Sequence, residues 1–169
     1  MEKAIQILNK KQIQQKLERM AYQILEDNSE ETEIYIAGIV RGGYILAQRI
    51  QEILSRLSHQ QFHLVRIDLD KSSTRLQAQT DRPLSDFENK TIIIVEDVLN
   101  TGKTLTYGIG VFLNLPIKKI RTLTLVDRLH RLYPVVSDFT GLEVSTVLHQ
   151  YITVVLEEEG REDGVFLQD

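Results

Sequence analysis

Thr91-Ile92-Ile93-Ile94-Val95-Glu96-Asp97-Val98-Leu99-Asn100-Thr101-Gly102-Lys103-Thr104 is the stretch on which the fold turns. Its first five residues are β-branched without a break, the pattern of a strand at the centre of a parallel sheet covered on both faces. The run ends on two carboxylates, Glu96 and Asp97, expected at a solvent-facing strand end. Residues 101–104 then open a helix expected to reach about residue 113. Ligands of open parallel sheets bind outside the carboxyl ends of the strands, and this segment presents its polar residues at that edge.

The same alternation continues on both sides. Upstream, Ile34-Tyr35-Ile36-Ala37-Gly38-Ile39 reads as a strand leading through Gly42 and Gly43 into a helix over 44–57. Before it, Ile13, Leu17, Met20, Ala21, Ile24 and Leu25 recur at helical spacing over 10–26, with Asn9 placed to cap. Residues 62–69 form a further strand. The polar stretch 70–88, with Asp81 and Arg82-Pro83, is long enough to be a lid or binding loop, or to carry a short hairpin. Downstream, 120–126 is another apolar strand, and 135–136, 144–147, 152–156 and 165–167 read as short strands separated by Gly141, Gly160 and Gly164. Strand and helix in alternation imply an α/β fold, a doubly wound parallel sheet with right-handed crossovers. At 169 residues, 1–169 is expected to be a single domain.

Composition narrows the chemistry. With 42% hydrophobic and 26% charged residues the chain is an ordinary globular protein. It has no cysteine, which excludes disulfides, thiolate metal sites and cysteine nucleophiles, and a cytoplasmic location is expected. No stretch approaches the roughly 18 apolar residues of a membrane span, so no membrane partner is expected. A net charge of −4 gives no general reason for nucleic-acid binding.

A helix's first-turn N–H groups and its dipole attract an anion, and Thr101 and Thr104 add hydroxyl donors. Two carboxylates close to such a cradle would repel a phosphate, but they suit the hydroxyls of a sugar. A ribose 5-phosphate satisfies both. A bare Thr-Gly-Lys-Thr reads equally well as a Thr-capped helix after an acidic strand end. The Walker A pattern fails, since it requires Gly at position 97, and no Gly-x-Gly-x-x-Gly occurs around Gly38.

Residues 92–105 resemble the 5-phosphoribosyl-1-pyrophosphate motif of the type I phosphoribosyltransferases. The resemblance implies that Glu96 and Asp97 hold the ribose 2- and 3-hydroxyls, directly or through a magnesium-bound water. Asn100, Thr101, Gly102, Lys103 and Thr104 would then wrap the 5-phosphate. Gly38-Ile39-Val40-Arg41-Gly42-Gly43 resembles the family's pyrophosphate loop, which implies that Val40, Arg41, Gly42 and Gly43 face the pyrophosphate and that Arg41 joins Glu96 and Asp97 in catalysis. Leu125-Val126-Asp127-Arg128-Leu129-His130-Arg131-Leu132-Tyr133-Pro134 and Asp138-Phe139-Thr140-Gly141 are similar to the hood of the pyrimidine-operon attenuation regulators that double as uracil phosphoribosyltransferases. Read from the residues alone, Asp127 and Arg128 are a surface ion pair at a strand end. The resemblance places the nucleobase near Val98, Leu99, Val126, Asp127 and Arg128, and builds a small hood from the N-terminal helix and the C-terminal strands.

The implied activity is transfer of the 5-phosphoribosyl group to a nucleobase, uracil being the best guess, with Mg²⁺ as cofactor and a homodimer or higher homo-oligomer as assembly. The alternative is a non-catalytic or bifunctional nucleotide-sensing regulator of pyrimidine operons that binds RNA. The chain also departs from the pattern. Leu69-Asp70-Lys71-Ser72-Ser73-Thr74 lacks the lid signatures of both pyrimidine and purine relatives. Asn100 replaces the Asp of purine enzymes, and an amide is no general base. Arg41-Gly42 is closer to the purine type of loop. The first helix pairs Lys16 and Arg19 with Glu18, and Leu148-His149-Gln150-Tyr151 has no lysine, so RNA ranks below nucleotide chemistry.

Overall fold

The computed structural model describes residues 4–70 and 76–169. In chain order the elements are β1 (Ile5–Asn9), α1 (Lys10–Asp27), β2 (Glu33–Ile39), α2 (Gly42–Leu57), β3 (Gln61–Asp70), β4 (Gln77–Thr80), β5 (Thr91–Leu99), α3 (Lys103–Gly110), β6 (Lys119–Asp127), β7 (Phe139–Glu143), β8 (Tyr151–Val155) and β9 (Gly164–Gln168). A 3₁₀ turn spans Leu84–Phe87. Among the described residues no helix is long and apolar enough to cross a membrane.

Six strands form the main sheet in the order β4-β3-β2-β5-β6-β7, parallel except where β4 turns back on β3. The β-branched run predicted to be central is central. Alternation along the strands divides two cores. Ile34, Ile36, Ile93, Val95, Leu123 and Leu125 face α1 and α2, whose Met20, Ile24, Leu46 and Ile50 complete that layer. Tyr35, Ala37, Ile39, Ile92 and Ile94 face the other side, under α3 and the Phe112 that follows it. The sheet is therefore covered on both faces, as continuous apolar strands require.

Asn9 caps α1 as expected: its side chain accepts from Gln12 N–H, and the Gln12 side chain accepts from Asn9 N–H, each at 2.9 Å. The hood is a separate three-stranded antiparallel sheet, β1-β9-β8. Its N-terminal strand is β1. The N-terminal helix expected in the hood instead packs on α2 and β7 of the main body, because its apolar stripe is drawn to the larger core.

Several boundaries differ from the sequence expectation. Residues 135–136 and 144–147 are not strands, and the strand between them is β7, with Gly141 at its middle. A Cβ on Gly141 would lie 2.4 Å from Leu125 O, so glycine is what lets β7 approach β6. α3 ends at Gly110 rather than near 113. The stretch 70–88 is more ordered than a simple loop. β4 pairs with β3, and Phe87 is fully buried, edge-on to Tyr35 at 5.3 Å and to Phe112 at 5.1 Å. The remainder of that lid assignment, residues 71–75, lies outside the described residues.

Candidate active site

β2 is followed by a crossover to β3 on one side, whereas β5 lies on its other side. The carboxyl ends of β2 and β5 are thus the point where the winding reverses, the place where open α/β sheets bind their ligands. Two turns meet at this point: 40–43 after β2 and 100–102 after β5. Their contact is close. A Cβ on Gly42 would stand 2.1 Å from Asp97 Oδ2 and 2.6 Å from its Cγ, so the Asp97 carboxylate lies directly against the α2 turn. A Cβ on Gly43 would stand 2.4 Å from Val95 O. Both glycines are needed for close approach to β5.

Val40 N–H donates to Ile67 O at 3.0 Å, and the Val40–Arg41 peptide is cis. Arg41 is exposed at the start of α2, which has no side-chain N-cap hydrogen bond. After β5, Gly102 precedes α3 with φ +84°, and a Cβ there would meet Val135 Cγ2 at 2.6 Å. Thr101 Oγ1 accepts from Lys103 N–H at 3.3 Å, while Thr106 Oγ1 donates to Gly102 O at 2.7 Å. Thr101 and Thr104 are half-buried, and Asn100 and Lys103 are exposed.

β5 continues through Leu99, so the acidic pair sits within the paired strand and not beyond it. Asp97 is half-buried and accepts from Val98 N–H at 2.9 Å. Glu96 is only 9% exposed, which corrects the expectation of a solvent-facing side chain: β5 stays paired with β6 past this point, with Glu96 opposite Thr124, so the strand does not end at the acidic pair. Leu99 and Val126 are fully buried in the two cores, so a base would meet their main chain, not their side chains. Val98 is half-buried.

Asp127 and Arg128 do not pair with each other. The Asp127 carboxylate accepts from Leu129 N–H at 2.9 Å and forms an ion pair with Arg131. Both Asp127 and Arg128 are buried, so the surface ion pair is corrected. Sequence reasoning also missed the brace under the turn at 100–102. Leu132 and Tyr133 N–H groups both donate to Thr101 O, at 2.8 and 3.0 Å. The one available signal was Tyr133-Pro134, a turn-favouring pair.

A cavity of about 1050 Å³ lies elsewhere, between α1, α2 and the turn before β9, lined by Lys10, Arg49, Arg56, Glu52, Glu157 and Asp163. Its cations face carboxylates, and Arg49 is already bonded to Asp163 at 2.7 Å. None of the sequence-predicted site residues lines it.

The phosphoribosyl transferase domain family matches residues 4–158. The chain belongs to that family. This phosphoribosyl transferase domain is 33% identical over 171 residues to the bifunctional protein PyrR of Microcystis aeruginosa, covering 96% of each chain. It is 30% identical to the bifunctional protein PyrR of Ligilactobacillus salivarius, covering 98% of each. Within the family it falls in the PyrR-type group. The fold of this domain is that of the type I phosphoribosyltransferases. It superposes on a hypoxanthine-guanine phosphoribosyltransferase from Bacillus anthracis with a TM-score of 0.77, 20% identity and 97% of each chain covered. The hypoxanthine phosphoribosyltransferase of Trypanosoma cruzi gives 0.77 at 17% identity, covering 96% of this chain and 95% of that one.

Proposed function

We propose that the protein transfers the 5-phosphoribosyl group from 5-phosphoribosyl-1-pyrophosphate to a nucleobase nitrogen, with uracil as the base, releasing pyrophosphate. The observation that carries this reading is the contact of Gly42 with the Asp97 carboxylate at the sheet's winding reversal. It brings an α-helix N-terminus with Arg41 beside two carboxylates and a second helix N-terminus. One ligand satisfies all three features: pyrophosphate at the α2 turn, ribose hydroxyls at Glu96 and Asp97, and 5-phosphate at residues 100–104. In the reaction the bond from ribose C1 to the pyrophosphate oxygen breaks, the bond from the base nitrogen to C1 forms, and the base gives up its proton.

Magnesium fits this donor set. Two carboxylates are too few for an all-protein cage, but Mg²⁺ is commonly held by one or two carboxylates together with substrate oxygens. Glu96 and Asp97 would share it with the ribose and pyrophosphate oxygens. Bound there, it would neutralise charge on the leaving pyrophosphate. Arg41 supplies a second positive charge from protein. Asn100 cannot take a proton from a purine, which favours uracil. The cytoplasm and a homodimer remain the expected setting.

A second reading is favoured by the printed name of the relatives, bifunctional proteins: regulation of a pyrimidine operon through RNA. The experiment that tests the first is a panel assay of the purified chain with donor, Mg²⁺ and each common nucleobase, read as pyrophosphate release. Release with uracil alone is expected. Donor binding without release from any base would sink the enzyme and favour the sensor.

A further inference from the structure

Arg128 follows β6 directly and is only 6% exposed, although its guanidinium carries a full charge. Its neighbour Asp127 is engaged by Leu129 N–H and Arg131, a local knot in which Leu129 adopts φ +56°. Arg128 accordingly turns the other way. Its Nη1 donates to Asn100 Oδ1 at 2.9 Å, its Nε to Thr146 Oγ1 at 2.7 Å and its Nη2 to Val147 O at 3.4 Å. All three acceptors are neutral.

A guanidinium only donates, whereas an amide has one accepting and one donating end. The bond to Arg128 therefore settles which way the Asn100 amide lies: Oδ1 is engaged, and the Nδ2 group is turned to the opposite side. Asn100 itself is exposed at the end of β5, the first residue of the phosphate turn. Thr146 and Val147, which hold the rest of the guanidinium, come from the connection between β7 and the hood strand β8. One buried side chain thus joins the phosphate turn to the segment leading to the hood.

We propose that Asn100 and Arg128 form the base-selecting element, in which Arg128 positions the amide so that Nδ2–H donates to the nucleobase. This rests on the phosphoribosyltransferase reading above. The atom selected is an acceptor, a ring carbonyl oxygen beside the attacking nitrogen. A pyrimidine-2,4-dione carries a carbonyl beside each nitrogen that can attack. A purine attacking through N9 carries its proton on N7, so it would set one donor against another. Asn100 is the specificity residue and Arg128 acts through it.

The test is calorimetric binding of uridine 5′-monophosphate and ribose 5-phosphate to the full chain with Mg²⁺, read as the ratio of the two affinities, which isolates the base. Asn100→Asp replaces the donor by an acceptor at an exposed position, and the ratio is expected to fall about tenfold or more. Arg128→Gln is expected to lower the ratio about threefold to tenfold with Asn100 present, and to add nothing in an Asn100→Ala background, as a double-mutant cycle would read. An unchanged ratio in Asn100→Asp overturns the proposal, and so does an Arg128→Gln effect of equal size in both backgrounds. Wild-type protein that binds neither ribose 5-phosphate nor the donor defeats the phosphoribosyltransferase reading itself. Tight ribose 5-phosphate binding with an unaltered ratio defeats the base-selecting pair alone.

Discussion

Gly42 offers only a hydrogen where any other residue would place a carbon 2.1 Å from Asp97 Oδ2. Gly42→Ala must therefore push the carboxylate away from the α2 turn. Donor affinity is expected to drop at least about tenfold, equivalent to the loss of one charge-assisted hydrogen bond of about 1.5 to 3 kcal/mol, read by calorimetry. Glu96→Gln with Asp97→Asn removes both charges and turns one acceptor oxygen of each carboxylate into a donor, while keeping their shape. Donor binding is expected to vanish while the melting transition remains cooperative, and unchanged affinity would move the ribose elsewhere. Which residue types stand at 40–43 and 96–104 was legible in the sequence, because spacing after a β-branched strand carries that information. The burial of Glu96 and the partner of Arg128 were not. Both depend on contacts across strands far apart in the chain, and no local pattern encodes them.

At the scale of elements, the hood is tied to the main body by the apolar contacts of Leu8, Leu156 and Val165 and by an ion pair between Asp163, before β9, and the half-buried Arg49 of α2. Burial pushes the Asp163 carboxyl up, but the Arg49 hydrogen bond, the Glu157 N–H and the nearby charges of Arg49 and Lys10 outweigh it, so its pKa is lowered. A lowered carboxylate contributes stability that is present above its unfolded value, about 3.9, and lost as pH falls through the lower folded value. Asp163→Asn is expected to cost about 1 to 3 kcal/mol at neutral pH. That cost should shrink toward zero in urea denaturation below about pH 4, near the carboxylate's unfolded value. A pH-independent difference would mean that packing, not charge, holds the hood. Sequence reading failed most at β1 of the hood and at β7, the edge strand of the main sheet. β1 has Leu8 as its one buried residue, which leaves no alternation to detect, and the β-branched residues at 135–136 and within 144–147 look more like strands than Phe139–Glu143 with its central glycine. The inner strands of the main sheet, β2, β5 and β6, buried on both faces, were legible from apolar runs alone.

For the whole molecule, the competing reading as an RNA regulator depends on where positive charge is left over. The net charge is −4, and Arg19, one of the four cations of α1 with Lys10, Lys11 and Lys16, is already committed: its Nη2 donates to Thr140 O at 2.9 Å and Gly141 O at 2.8 Å, and its Nη1 to Gln23. These bonds fasten α1 to β7, so Arg19 serves the packing of the body. Lys16 stays half-buried on the same helix. RNA affinity that comes from phosphate neutralisation falls steeply with salt, by a slope of about 0.7 per phosphate contacted on a single strand. Binding of a pyrimidine-operon leader RNA is therefore expected to be weak near physiological salt and shallow in its salt dependence, as measured by filter binding across a salt series. Lys16→Ala should change the slope by less than about one unit. Arg19→Ala should lower the melting temperature, because it leaves two strand carbonyls without their donor. Tight binding with a steep slope that Lys16→Ala and Arg19→Ala flatten together would reverse the ranking and make α1 an RNA-contacting face.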